Sequence, residues 1–143
     1  ILGSTGSIGK TLLSIIEKDK KNYDIVLLTA HKDYKTLFNQ AKKFNVKNLI
    51  ITNSKSYETF NKKNFGSKIN LFKSFNELNK IFNKKIDYVM SSIVGIDGLY
   101  PTIKIIKFTK KIAIANKESI ICGWNLINKE LKKKQNYIYS CRF

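Results

Sequence analysis

Short apolar runs alternate with longer segments in which apolar residues recur every three or four positions, and this alternation continues along the whole chain. The short runs have the near-continuous apolar character of buried parallel strands, whereas the longer segments carry the apolar stripe of helices that pack on a sheet. The pattern predicts strands over residues 1–2, 23–30, 47–52, 69–72, 87–93, 111–115 and 136–139. It predicts helices over residues 10–17, 34–44, 54–62, 74–82, 101–108 and 120–133.

This order of strands and helices predicts an α/β fold, namely a Rossmann-like, doubly wound and mostly parallel sheet with helices on both faces. Two serines are predicted to cap helices: Ser54, and Ser74 in a capping box with Glu77. In such a sheet, ligands bind beyond the carboxyl ends of the strands. The segments at those ends are residues 3–9, 30–33, 92–98 and 116–119.

Three glycines, Gly3, Gly6 and Gly9, lie between the first apolar run and the first predicted helix. A strand, a glycine-rich turn and a helix together place main-chain N–H groups against a phosphate, and glycine lets the phosphate approach closely. The G-x-x-G-x-x-G spacing differs from the commoner G-x-G-x-x-G of dinucleotide-binding proteins. The turn therefore predicts a phosphate site, and a glycine-rich turn that binds nothing is the alternative.

The second predicted strand ends in Ala30, His31, Lys32 and Asp33. In NAD-binding sites an acidic residue about 20 residues after the glycines binds the ribose 2′-hydroxyl. A lysine and a histidine would instead attract the 2′-phosphate of NADP, so Lys32, with help from His31, favours NADP. Asp33 lies next to this lysine, and an ordinary solvent-exposed loop lysine is the alternative.

Three polar residues, Asn116, Lys117 and Glu118, follow a later predicted strand. Asn116 and Glu118 are suited to hydrogen-bond a nicotinamide or a ribose, and Lys117 is suited to an anionic substrate. The alternative is a plain helix N-terminus, capped by Ser119 or Asn116, with Glu118 placed favourably in the helix dipole.

The amino-acid composition limits the kinds of function that the chain can have. The chain has 143 residues, the size of one domain, and its formal net charge of +17 suggests a polyanionic partner such as nucleic acid. However, 27 residues are basic and all are lysines except Arg142, whereas proteins that read bases and phosphates rely on arginine.

Cys122 and Cys141 have no metal-ligand spacing, and the single histidine excludes an H-E-x-x-H zinc site. No apolar run is long enough to span a membrane.

Three stretches together resemble one family. They are residues 1–9, residues 91–102, which resemble a family stretch A-I-V-G-x-x-G-L-x-P-T, and residues 115–119, which read Ala-Asn-Lys-Glu-Ser. In this order and spacing they resemble the N-terminal NADPH-binding domain of 1-deoxy-D-xylulose 5-phosphate reductoisomerase. The resemblance covers nearly the whole chain.

The resemblance implies an enzyme that converts 1-deoxy-D-xylulose 5-phosphate to 2-C-methyl-D-erythritol 4-phosphate in the non-mevalonate route to isoprenoids. It implies NADPH, a divalent metal (Mn or Mg) in the full-length protein, and a homodimer in the bacterial cytoplasm or in a plastid. It implies that Lys117 binds the phosphorylated sugar substrate. The residues that it implies for NADPH are Thr5, Gly6, Ser7, Ile8, His31, Lys32, Asp33, Asn116 and Glu118.

Two features depart from the family pattern. The family commonly has Gly-Lys-Asn where this chain has His31, Lys32 and Asp33. The family also continues into a P-V-D-S-E-H motif that binds the metal, whereas this chain has no acidic residue after Glu130. We therefore expect one NADPH-binding domain over residues 1–143, truncated at both ends, with no catalytic or metal-binding residue and no turnover by itself.

Two other functions stay open at this point. One is an NADP-binding module or pseudoenzyme without catalysis, which would keep the nucleotide site alone. The other, less favoured, is a basic nucleic-acid-binding domain, which would bind with a steep dependence on salt.

Overall fold

The computed structural model describes residues 1–62, 69–134 and 137–140. The first residue of the last predicted strand, at position 136, and the residues Cys141 and Arg142 lie outside them. Strands and helices alternate throughout the described chain. The strands are β1 (Leu27–Ala30), β2 (Asn48–Ile51), β3 (Asn70–Phe72), β4 (Ile86–Ser91), β5 (Thr109–Ile114) and β6 (Tyr137–Ser140). The α-helices are α1 (Ser7–Glu17), α2 (Tyr34–Phe44), α3 (Ser54–Lys62), α4 (Leu78–Ile81), α5 (Leu99–Ile106) and α6 (Lys117–Lys134). Short 3-10 turns occupy Lys20–Asn22, Phe75–Glu77 and Ile96–Gly98.

The strands form two parallel sheets, ordered β1–β2–β3 and β4–β5–β6, and the N-terminal segment of residues 1–4 lies between them. On one side, the main-chain nitrogen of Ser4 donates to the carbonyl oxygen of Thr29 at 2.9 Å. On the other side, the nitrogen of Leu2 donates to the carbonyl oxygen of Met90 at 2.8 Å. These bonds join both sheets through the segment, in the order β3–β2–β1, residues 1–4, β4–β5–β6.

The first predicted strand, residues 1–2, is present as a single parallel bridge between Leu2 and Ser91 and does not form a longer ladder. The reason lies in the next residue, because Gly3 has a φ of 77° and turns the chain away from the extended conformation. The segment nevertheless takes the central place that the doubly wound fold requires.

Helices cover both faces of the sheet, since neighbouring side chains of β1 and β2 point into different clusters. On one face, Leu27 and Ile50 belong to a buried cluster that includes residues of α4, α5 and α6. On the opposite face, Leu28 and Leu49 belong to a cluster that includes residues of α1, α2 and α3. This alternation is the period of two expected of strands covered on both sides. The predicted α/β fold is confirmed.

Element boundaries differ from the prediction by a few residues, and one predicted cap is wrong. β1 begins at Leu27 and not at Tyr23, because its pairing with β2 starts at Leu27 and Tyr23 is exposed. The helix predicted to be capped by Ser54 is capped by Asn53, whose Oδ1 accepts from the nitrogen of Ser56 at 3.0 Å. Ser74 does cap its short helix, and its Oγ accepts from the nitrogen of Asn76 at 3.1 Å.

No helix within the described residues combines the length and the apolar character needed to cross a membrane.

Candidate functional site

The glycine turn, residues 3–9, leads from the centre of the sheet into α1. A Cβ atom on Gly9 would lie 2.5 Å from the carbonyl oxygen of Gly3, so the first turn of α1 packs directly on the start of the glycine turn. Gly6 precedes α1, carries no side chain to cap it, and no acidic residue lies in its first turn. The main-chain N–H groups at this N-terminus are therefore suited to bind an anion.

Side chains from two neighbouring elements hold the glycine turn in place. The buried Ser4 hydroxyl donates to Oε1 of Gln40 at 2.8 Å, and Nε2 of Gln40 donates back to the carbonyl oxygen of Ser4 at 2.9 Å. The nitrogen of Gly3 donates to Oγ1 of Thr29 at 2.9 Å. Because Gln40 belongs to α2 and Thr29 to β1, the turn is fixed by the packed core and not by its own sequence alone.

A cavity of about 660 Å³ opens beside the glycine turn at the carboxyl ends of the strands. Its size falls within the range of small-molecule sites, about 300–1,000 Å³. Gly3, Thr5 and Gly6 form part of its wall. Other parts of the wall come from the ends of the strands and from the loops after them: Ala30, His31, Thr52, Lys73, Ser74, Ser92, Ile93, Asp97 and Tyr100.

Residues 31–33, at the end of β1, have three different environments. His31 lines the cavity, and its Nδ1 lies 2.9 Å from Oγ1 of Thr52 at the end of β2. Asp33 caps α2, since its Oδ1 accepts from the nitrogen of Thr36 at 3.1 Å. Lys32 is exposed and is not part of the cavity wall.

Asn116 is 4% exposed, and its amide makes three hydrogen bonds within the protein. Nδ2 donates to the carbonyl oxygen of Ile93 at 2.6 Å and also to that of Gly95. Its Oδ1 accepts from the nitrogen of Ser119 at 3.0 Å. The side chain thus caps α6 and holds the loop between β4 and α5, which is the structural alternative that the sequence left open for this residue.

Lys117 and Glu118 are the first two residues of α6, next to that loop. Lys117 is exposed and Glu118 is half-buried, and neither lines the cavity. Glu118 lies in the first helical turn, where a negative charge is favourable. The buried hydroxyl of Ser119 has no hydrogen-bond partner among the described residues.

The polar side chains that line the cavity are hydroxyls, the imidazole of His31, the ammonium of Lys73 and the carboxylate of Asp97, and apolar side chains such as Phe75 and Val94 line the rest of its wall. Within residues 1–62, 69–134 and 137–140, no group of three His, Cys, Asp or Glu side chains is arranged to hold a metal ion. A helix N-terminus, an imidazole and several hydroxyls at one cavity form a donor set that matches a phosphorylated organic ligand.

The sequence profile of 1-deoxy-D-xylulose 5-phosphate reductoisomerase matches residues 1–123. The chain belongs to this reductoisomerase family. The resemblance seen in its motifs is thereby confirmed. A reductoisomerase of Pelagibacter ubique (strain HTCC1062) is 59% identical over 139 residues, which cover 96% of this chain and 36% of the relative. That of Wolbachia pipientis wMel is 36% identical over 135 residues, covering 94% of this chain and 34% of the relative.

Solved reductoisomerases share the fold. The enzyme from Zymomonas mobilis in complex with NADPH is 29% identical and superimposes with a TM-score of 0.86 over 97% of this chain and 37% of its own. A second reductoisomerase, in complex with NADPH, fosmidomycin and magnesium, is 30% identical with a TM-score of 0.86, covering 97% of this chain and 35% of its own. The present chain therefore spans about a third of the length of the reductoisomerases that it matches.

The site also contains residues that the sequence analysis did not identify. Ser4, Thr29 and Gln40 support the glycine turn, and Thr52 contacts His31. Thr29 had one weak signal, as a polar residue within an apolar run. Gln40 and Thr52 had none, because they reach the site only through the packing of α2 and the pairing of β2. Of the predicted nucleotide residues, Thr5, Gly6 and His31 line the cavity itself.

Proposed function

We propose that the chain binds NADPH in this cavity, as the dinucleotide-binding part of a 1-deoxy-D-xylulose 5-phosphate reductoisomerase. The observation that carries the proposal is the N-terminus of α1, which has no side-chain cap and begins at the glycine turn that lines the cavity. The pyrophosphate would neutralise the partial positive charge of this helix end. That a similar reductoisomerase is known in complex with NADPH supports this assignment.

The proposed ligand residues lie in three places. At the glycine turn, the main-chain N–H groups bind the phosphates; at the end of β1, residues 31–33 face the adenosine; at the start of α6, residues 116–118 face the nicotinamide and the substrate. Asn116 and Asp33 have their side chains bonded within the protein, so they act through the loop and the helix that they hold. The full set is Thr5, Gly6, Ser7, Ile8, His31, Lys32, Asp33, Asn116 and Glu118 for NADPH, and Lys117 for the substrate.

The activity of the whole protein is part of the same proposal. We infer that residues 1–143 form one NADPH-binding domain of an enzyme that converts 1-deoxy-D-xylulose 5-phosphate to 2-C-methyl-D-erythritol 4-phosphate with Mn or Mg. NADPH, when bound, supplies the hydride that reduces the rearranged sugar. The residues of this chain bind and orient the nucleotide, and Lys117 binds the anionic substrate. We place the enzyme, as a homodimer, in the bacterial cytoplasm.

A fluorescence titration of the purified chain with NADPH and with NADH, each at two salt concentrations, tests the proposal. We expect binding of both nucleotides and a preference for NADPH. The decisive variant is Ser7→Asp, because an acid at the first position of α1 suits the helix dipole yet repels a bound pyrophosphate. It should weaken NADPH binding by about tenfold or more.

The matched control is Ser14→Asp, which adds the same charge on the exposed surface of the same helix and should leave the affinity unchanged. Far-UV circular dichroism checks that both variants fold. If Ser7→Asp and Ser14→Asp bind NADPH equally well, the helix N-terminus is not the phosphate site. If the folded chain binds neither nucleotide but binds nucleic acid with a steep salt dependence, the basic-domain alternative is correct.

A further inference from the structure

His31 and Thr52 follow two neighbouring strands of the sheet and meet at the cavity. β1 and β2 pair in parallel up to Ala30 and Ile51, so the next residue of each strand emerges at the same edge. Nδ1 of His31 lies 2.9 Å from Oγ1 of Thr52, and both residues are part of the cavity wall. The pair therefore presents one imidazole ring in a defined orientation to whatever occupies the cavity.

Hydrogen bonds also hold the main chain of His31 and Thr52 in place. The nitrogen of Thr52 donates to the carbonyl oxygen of Ala30 at 3.2 Å, and the nitrogen of Asn53 donates to the carbonyl oxygen of His31 at 3.2 Å. The ladder thus continues one step past both strands, so the two residues remain adjacent even without their side-chain contact. A substitution of His31 or Thr52 should therefore leave the main chain at this edge of the sheet in place.

The two charged residues next to His31 in the sequence, Lys32 and Asp33, do not line the cavity. The carboxylate of Asp33 caps α2, which directs it toward the helix main chain. Lys32 is exposed and outside the cavity wall. Among the described residues, the lysine that lines the cavity is Lys73, whose Nζ lies 5.9 Å from the centroid of the Tyr57 ring. Nε2 of His31 has no hydrogen-bond partner among the described residues. At this end of the cavity the imidazole is the group best placed to donate to a ligand.

We propose that His31, positioned by Thr52, binds the 2′-phosphate of NADP and sets the preference for NADP over NAD. The inference rests on the proposed function, since it requires that the adenosine lie at the end of β1. When the Thr52 hydroxyl donates to Nδ1, the ring hydrogen is on Nε2 and points to the phosphate; when the ring is protonated, both nitrogens donate. Charge-assisted bonds of this kind are the stronger ones.

This assignment differs from the one that the sequence favoured, in which Lys32 is the principal residue and His31 assists it. It also gives a role to Thr52, which belongs to no recognised motif. Thr52 is a positioning residue: it contacts His31 and holds the ring, while His31 contacts the nucleotide.

The test is the nucleotide selectivity of four single variants of the purified chain, since a purely structural defect would weaken NADPH and NADH alike. His31→Ala should lower the affinity for NADPH about tenfold and leave that for NADH within about twofold. Thr52→Val should lower the NADPH affinity about threefold, because the ring loses its hydroxyl partner. Thr59→Val, a threonine on α3 whose hydroxyl bonds only locally to Lys55, is the matched control and should bind both nucleotides like the parent chain.

The fourth variant, Lys32→Gln, separates the two assignments. We expect it to change the ratio of NADPH to NADH affinity less than His31→Ala does. The same ranking should hold for adenosine 2′,5′-bisphosphate against adenosine 5′-monophosphate, two probes that differ only in the phosphate at issue.

Two outcomes would overturn the inference. One is an unchanged ratio of NADPH to NADH affinity in His31→Ala, whether or not both affinities fall; the other is loss of selectivity in Lys32→Gln alone. In each of these the parent chain still binds NADPH and the proposed function stands. If the folded parent chain binds neither nucleotide, the proposed function and this inference both fail.

Discussion

Gly9 is the residue at which the glycine turn depends most directly on the absence of a side chain. A Cβ atom there would lie 2.5 Å from the carbonyl oxygen of Gly3 and 2.6 Å from Cα of Ser4. Both are main-chain atoms, so no side-chain rotation can relieve the overlap. At Gly6, by contrast, a Cβ atom would lie 3.5 Å from the carbonyl oxygen of Gly3, an ordinary contact.

Gly9→Ala is therefore expected to lower the free energy of unfolding by about 1–3 kcal/mol, because the turn must shift to accept the methyl group. Gly6→Ala should change it by no more than about 0.5 kcal/mol, since Gly6 has a φ of −75° that alanine adopts freely. Urea unfolding followed by circular dichroism measures both. Equal losses in the two variants would show that the turn does not pack as described.

Asn116 could by its residue type either bind a ligand or cap a helix, and the packing around it decides between these two roles. Asparagine at a strand end suits a ligand amide as well as it suits a helix cap. Here it is buried and its amide bonds to the loop after β4 and to the first turn of α6. A buried amide needs such partners, because an unpaired one costs about 1–3 kcal/mol.

At the scale of the element, the start of α3 depends on Asn53 rather than on the serine that follows it. Both residue types are strong N-caps, and they are adjacent in the sequence, so local preference does not choose between them. The carbonyl oxygen of Asn53 accepts from Tyr57 and its side chain accepts from Ser56, which is the pattern of an N-cap. The start of α3 is fixed because β2 ends at Ile51 and the main chain of residues 52–53 still pairs with β1.

Asn53→Ala should accordingly destabilise the chain by about 1 kcal/mol, the usual cost of losing a helix cap. Ser54→Ala should stay within about 0.5 kcal/mol of the parent, because Ser54 is the first residue of the helix and is exposed. Thermal and urea unfolding of the two variants under identical conditions provide the comparison. A larger loss of stability in Ser54→Ala than in Asn53→Ala would show that Ser54 is the cap.

At the scale of the whole molecule, the chain carries 27 basic and 10 acidic residues, so its few carboxylates matter for the charge balance. Hydrogen bonds from lysines lower the pKa of Glu17, Glu77 and Asp87: Lys43 acts on Glu17, Lys80 on Glu77 and Lys110 on Asp87. These pairs lie on the surface at 2.7, 3.0 and 2.8 Å, where each contributes little by itself.

The direction of the pH dependence follows from those lowered pKa values. The stabilisation is complete above the ordinary carboxyl values of 4.5 for Glu and 3.8 for Asp, and it is lost as the pH falls through the lower values of the folded state. The loss of these pairs should therefore make the urea midpoint decline between about pH 5 and about pH 3. The triple variant Glu17→Gln, Glu77→Gln, Asp87→Asn should decline less over the same range. Parallel curves would mean that these pairs do not contribute.

The sequence by itself determined the alternation of strands and helices, the parallel doubly wound fold, the glycine turn and the family. Each of these is encoded locally, in the period of the apolar residues or in a short motif, so the order of residues along the chain was sufficient. Predicted boundaries were less accurate, as at β1, because strand ends depend on which partner strand is still within hydrogen-bonding distance.

Only the tertiary structure decided which residues meet at the site. Residues 1–4 lie between two strands far away in sequence, so that the hydroxyl of Ser92 donates to the carbonyl oxygen of Leu2 at 2.7 Å. Gln40 reaches Ser4, and Thr52 reaches His31, across separations of 36 and 21 residues. Such contacts have no local signal, because they arise when helices pack on the sheet and strands pair, and a residue's own type does not show which distant group it will face.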